Sequence, residues 1–211
     1  MNAVHRFFEW VAKLAYINLL WIGFSILGLF IVGLFPATCS LFTITRKWLN
    51  GETDLPIFKT FWRTYRQEIV KSNLLGYVIA IIGYIFYLDY LFLTMQSNSM
   101  AALLTIPLLI ISLISLATAF YVFPIFVHYE MKFLQIFKSA FFIMLMNPFP
   151  TLVMFLGTAG IGFILLQFQG LLLFFSGSVL AIVITMPAQR AFKKVNDKYE
   201  VIMTDSANAS I

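Results

Sequence analysis

The 211-residue chain is 61% hydrophobic and 11% charged, less than half the charged share of about 25% usual in soluble domains. That balance excludes a soluble fold and points to an all-α polytopic membrane bundle, with residues 1–199 as one helical domain and 200–211 as a polar tail. The net charge of +5 does not indicate nucleic acid as a partner, because Lys and Arg flank apolar runs, where they set topology and meet the lipid bilayer's anionic headgroups.

His5, Arg6, Glu9 and Lys13 alternate with Phe7, Phe8 and Trp10, the composition of a short helix lying at headgroup level. Residues 14–35 read as the first span. At 22 residues this run exceeds the roughly 7–15 of a signal-peptide core, so it is expected to be retained. Gly23, Gly28 and Gly33 recur five apart, on rotated faces, and make no dimer seam. Apolar density falls at Pro36 while composition stays helical to Leu49, which predicts a helix that kinks and continues. Asn50-Gly51 is a stop signal, after which Thr53 or Asp54 can cap a new helix with Pro56 in its first turn. Across residues 55–73, Phe58, Phe61, Trp62, Tyr65 and Ile69 recur three and four apart, and Lys59, Arg63, Arg66 and Lys71 occupy much of the remainder. That pattern is an amphipathic helix.

Further spans are expected at 74–95, 103–127, 151–168 and 171–186, about five in all. Residues 96–99 form an uncharged turn, and Asn147-Pro148-Phe149-Pro150 breaks the chain before the fourth span. In this five-span arrangement only Arg6 and Lys13 lie on the N-terminal side, against twelve Lys and Arg on the other. The imbalance predicts an N-terminus outside and a C-terminus in the cytoplasm. A re-entrant first run would instead bring the N-terminus inside and make the number of crossings even. Ile57-Phe58-Lys59-Thr60 is echoed by Ile136-Phe137-Lys138-Ser139, and Pro36, Pro124 and Pro187 fall near span ends. These echoes fit a parallel internal repeat; they also fit chance, since Phe and Pro are common at helix ends.

Candidate chemistry is sparse. A single cysteine, Cys39, excludes an internal disulfide and a multi-cysteine metal site, and His5 and His128 are predicted on opposite faces. No catalytic set, metal site or cofactor is expected, and the chain is not expected to be an enzyme. Asp89 is the one acidic residue inside a predicted span, where a carboxylate at mid-membrane would cost roughly 2.5–3.5 kcal/mol. It lies about 9 Å from the outer end, among tyrosines, which favours an interfacial role over proton or cation coupling. Gly157, Gly160 and Gly162 read as packing positions. The long segment between the first two spans is the best candidate for an interaction surface, on lipid or on a partner.

Phe35-Pro36-Ala37-Thr38 at a span end, Arg46-Lys47-Trp48, Gly51-Glu52-Thr53-Asp54, and Phe58 to Phe61 before Tyr65 resemble the YesL family of small bacterial membrane proteins, a domain of unknown function. The resemblance covers nearly the whole chain and is densest over residues 34–76. It implies a bacterial plasma-membrane protein and brings no catalytic residues with it. It does imply association with carbohydrate ABC importers, so that an accessory or assembly subunit contacting the permease is expected. The candidate surface then comprises Pro36, Arg46, Lys47, Gly51, Glu52, Asp54, Phe58, Phe61, Trp62, Arg63, Tyr65 and Arg66. A small stand-alone transporter or channel, acting as an oligomer, is the alternative.

Overall fold

A computed structural model describes the backbone of residues 3–95 and 99–208 and the side chains of 4–95 and 103–197. The described residues form seven helices and no strands: α1 Ala3–Leu27, α2 Leu34–Leu49, α3 Ile57–Met95, α4 Ser99–His128, α5 Phe133–Met146, α6 Pro148–Gln167 and α7 Gln169–Asn208. Five of them, all but α2 and α5, are long and apolar enough to cross a bilayer. Large apolar side chains such as Ile81, Ile85, Leu109 and Leu113 stand exposed on α3 and α4. Surface of that kind is stable against hydrocarbon and not against water.

The first span differs from its sequence reading. Helix α1 starts at Ala3, absorbing the segment expected to lie flat, and stops at Leu27 instead of running to residue 35. A Schellman closure ends it: Phe30 N–H donates to the Ser25 carbonyl and Leu29 N–H to that of Ile26, each at 2.8 Å. Leu29 and Phe30 take φ of 54° and 58°, left-handed values that side chains other than glycine adopt at a cost of order 1–3 kcal/mol each. Gly28 and Gly33 then pass so closely that a Cβ on either would strike the other's backbone. Pro36 therefore bends no continuing helix. It occupies the first turn of α2, where its missing N–H is not needed.

Helix α2 returns antiparallel to α1. The Trp21 indole donates to Thr38 Oγ1 at 3.0 Å, and at the open end Trp10 meets Trp48 edge to face, with centroids 5.5 Å apart. Lys13 Nζ donates to the Thr53 carbonyl at 3.2 Å. The N-terminal end of α1 thus shares one end of the molecule with residues 46–54, contrary to the opposite-side placement expected from an odd number of spans. At 16 residues, α2 travels about 24 Å, so the hairpin returns the chain to the end from which α1 starts.

Helix α7 runs antiparallel to α1. Asn18, fully buried, donates to the Leu173 carbonyl at 2.7 Å and accepts from the N–H groups of Gly177 and Ser178 at 2.8 and 3.1 Å. Further along α7, Gln189 donates to Asn50 Oδ1 at 3.1 Å. Pro187 lies inside α7 and does not end it, and α7 continues into the polar tail as far as Asn208. Residues 209–211 and the centre of the turn at 96–98 lie outside the described residues.

Two apolar clusters form the core. One joins Ile17 and Phe24 of α1 to Ile44, Phe61 and Ala181. The other joins Tyr121 and Ile125 of α4 to Ile136, Met154, Ala188 and Phe192. Helix α7 contributes to both and binds them together. Asn147 separates α5 from α6 as the sequence predicts; it is buried, with its amide donating to the Ile143 carbonyl at 3.0 Å. Of the three glycines in α6, Gly157 alone meets a neighbour, Val183 of α7, while Gly160 and Gly162 face open space.

Candidate interaction surface

Between Phe58 and Tyr77, helix α3 advances about 28 Å and crosses the α1–α2 hairpin from Ser40 in the middle of α2 to Ile31 and Val32 at the closed end. Phe24 touches Phe58, Phe61, Trp62 and Tyr65. Ser40 Oγ donates to the Phe61 carbonyl at 3.1 Å, Asn73 Nδ2 to that of Val32 at 2.9 Å, and the Tyr77 hydroxyl to that of Ile31 at 2.7 Å. A Cβ on Gly76 would overlap the Phe35 ring. Helix α3 is therefore laid across the hairpin and clamped there by polar contacts to carbonyls that the turn leaves free.

This clamp divides the aromatic stripe. Phe61 and Tyr65 are 0% and 8% exposed, whereas Phe58 and Trp62 remain 52% and 41% exposed. Phe61 and Tyr65, placed by sequence on the interaction surface, belong to the core. Their burial holds Phe58 and Trp62 outward, and the Arg66 guanidinium lies 5.5 Å from the Trp62 ring centroid. Lys59 and Arg63 are exposed beside them.

The other candidates divide by location. Pro36 is buried in α2. Gly51, at φ 94°, is the left-handed residue of a second Schellman closure, in which Glu52 N–H donates to the Lys47 carbonyl and Gly51 N–H to that of Trp48, both at 3.0 Å. The turn carries an exposed Lys47–Glu52 ion pair at 2.8 Å, and Asp54 is exposed after it. Arg46 faces elsewhere, into a cleft of about 840 Å³ between α2, α3 and the α4–α5 connection.

Glu68 and Lys71 of α3, His128 at the end of α4, and Glu130 and Lys132 of the connection share that cleft with Arg46. Sequence reasoning missed this grouping because more than 50 residues separate Lys71 from His128. Cys39 sits at its wall, and burial, reinforced by the Glu68 charge, pushes the thiol pKa well above its ordinary value. Asp89 is half-buried on α3 and makes no hydrogen bond or ion pair among the described residues. Among the described residues no group of three His, Cys, Asp or Glu could hold a metal.

The hairpin and the apolar continuation of α3 coincide with a family match. Residues 14–90 fit the family described as "Protein of unknown function, DUF624". The chain is also 37% identical over 204 residues to the uncharacterized protein YesL of Bacillus subtilis (strain 168), covering 94% of each chain. It belongs to the YesL-like DUF624 family. It is likewise similar to the uncharacterized protein YteU of Bacillus subtilis (strain 168), with 39% identity over 176 residues, 83% of this chain and 79% of that one. Similarity to YesV of the same organism is 29% over 198 residues, 94% and 95% of the two chains. No solved structure matches. The two independent marks of the family, the residues quoted from sequence and the matched segment, meet on the hairpin and the α3 helix that crosses it.

Proposed function

We propose that this DUF624 family protein is a non-enzymatic accessory or assembly subunit of a carbohydrate ABC importer. It docks on the permease through the exposed face of α3. The observation that carries this reading is the clamped aromatic stripe: Phe58 and Trp62 project beside Arg63 and Arg66 from a helix whose other face is fixed in the core. Rigid aromatic groups lose little freedom on binding, and both aromatic and arginine groups are enriched at interface centres. The importer itself is inferred from the family resemblance.

In this reading the end that holds Trp10, Trp48 and Gln189 faces the cytoplasm of a bacterial plasma membrane. The same-end position of the N-terminus supports that orientation, because Arg6, Lys13, Arg46 and Lys47 then lie toward the cytoplasmic end, while the connection at the hairpin's closed end, residues 28–33, carries no Lys or Arg.

Purification from native membranes in mild detergent tests the proposal. A stoichiometric permease partner is expected, and Phe58→Ala/Trp62→Ala should release it while keeping a cooperative thermal transition, lowered because both rings also cover Phe24. Recovery of a homo-oligomer alone, with Asp89-dependent flux in liposomes, would overturn this reading in favour of a stand-alone transporter.

A further inference from the structure

We propose that the cleft between α2, α3 and the α4–α5 connection binds a phosphate–ammonium zwitterion, the chemistry of an aminophospholipid headgroup. Five charged side chains line it: Arg46, Lys71 and Lys132 against Glu68 and Glu130. None of the five forms an ion pair among the described residues, where the printed pairs are Lys13–Glu9 and Lys47–Glu52. Charges of both signs are thus held around one space without neutralising each other. A purely anionic ligand would leave Glu68 and Glu130 facing it, and a purely cationic one would face the three basic groups. A ligand carrying both charges meets both sets.

Arg46 supplies a guanidinium to the basic side of the cleft, and a phosphate oxygen is the acceptor that guanidinium geometry suits best. The cleft is also two-sided in character, since Leu74, Phe126, Phe133 and Ile136 line it alongside the charges. Its volume of about 840 Å³ lies within the ~300–1,000 Å³ of sites that enclose small molecules. It therefore has room for a headgroup with the start of its acyl chains along the apolar side. The position suits such an occupant, because Arg46 and His128 stand near the helix ends where basic residues gather beside apolar spans.

Native mass spectrometry of the detergent-purified full chain, titrated with defined lipids, tests this independently of any permease. Phosphatidylethanolamine adducts should exceed those of phosphatidylglycerol, which lacks the ammonium. Arg46→Gln and, separately, Lys71→Gln should weaken them about tenfold, as expected for loss of a charge-assisted bond. Lys193→Gln/Lys194→Gln, basic but outside the cleft lining, should leave them unchanged. Glu68→Lys should reverse the preference toward phosphatidylglycerol. Soluble O-phosphoethanolamine is the second arm: saturation by it with no added gain from the lipid assigns the site to a free zwitterion, and weak binding assigns it to the lipid. Equal adducts with both lipids, or adducts unmoved by every cleft variant, would overturn the proposal. Lys71, exposed on α3, keeps the test valid should Arg46→Gln fail to fold.

Discussion

Replacing Asn18 by leucine removes the polar link between α1 and α7 while keeping side-chain size. The amide makes three hydrogen bonds, to the Leu173 carbonyl and from the Gly177 and Ser178 N–H groups. Hydrogen bonds between membrane helices average about 0.6 kcal/mol and reach about 1.7, so three predict a loss of about 2 kcal/mol with an upper bound near 5. The larger figure applies if α7 cannot close its own ladder. Leu173 and Gly177 are four residues apart, the spacing of an ordinary helical bond, so relaxation there favours the lower one. Thermal unfolding in detergent, followed by intrinsic fluorescence, would measure the change, with Asn18→Ala as a second variant that adds a cavity. The reasoning fails if Asn18→Leu stays within about 0.5 kcal/mol of the parent, the range of substitutions that touch nothing important.

Other consequences can be checked on the same preparation. Gly51→Ala forces a side chain into a left-handed backbone and should cost about 1–2 kcal/mol in the thermal assay, whereas Glu52→Ala should cost less than about 1 because its ion pair is exposed. Gly76→Ala should destabilise by about 1–3 kcal/mol through overlap with Phe35, and adding Phe35→Leu should restore part of the loss. Cys39 should resist iodoacetamide at pH 8 and react once the protein is unfolded in SDS, because only the thiolate attacks and burial raises its pKa from 9.0. The sign of linkage follows: the unfolded thiol releases its proton near that value while the folded one holds it, so stability should fall as pH rises above about 9. Equal alkylation of the folded and unfolded forms at pH 8 would contradict this placement. In a Cys39→Ser background, Phe7→Cys and Glu52→Cys should react with an impermeant maleimide from the same face of sealed vesicles, and labelling from opposite faces would refute the antiparallel hairpin.

Several features were legible from residue types alone. Asn50-Gly51 stops α2 because glycine supplies the left-handed residue there, and Asn147-Pro148 separates α5 from α6 because proline offers no donor. The hairpin tip was not legible. Its sequence, Gly28-Leu29-Phe30-Ile31-Val32-Gly33, contains no polar turn residue, since a turn among apolar surroundings has no need of one. The pair of glycines five apart was the available signal, and it marks a close crossing within the chain, not a face of one helix. The stripe of Phe58, Phe61, Trp62 and Tyr65 identified the right helix but not which rings turn inward, because that depends on where Phe24 arrives from α1. Nothing in the sequence marks Asn18, because its partners lie 155 or more residues away. The charged cleft was invisible for the same reason.

The antiparallel pairing of α1 and α2 also bears on how the chain enters a bilayer during synthesis. Arg6 and Lys13 lie toward the open end of that pair with Arg46 and Lys47, while the closed end presents Leu27, Leu29, Phe30 and Ile31. Inserted tip first, such a hairpin would carry no cation through hydrocarbon, where each transfer would cost about 2.5–3.5 kcal/mol. The first two helices can therefore settle before α3 emerges, and the free carbonyls of Ile31 and Val32 await Tyr77 and Asn73 as a template on which that helix is positioned.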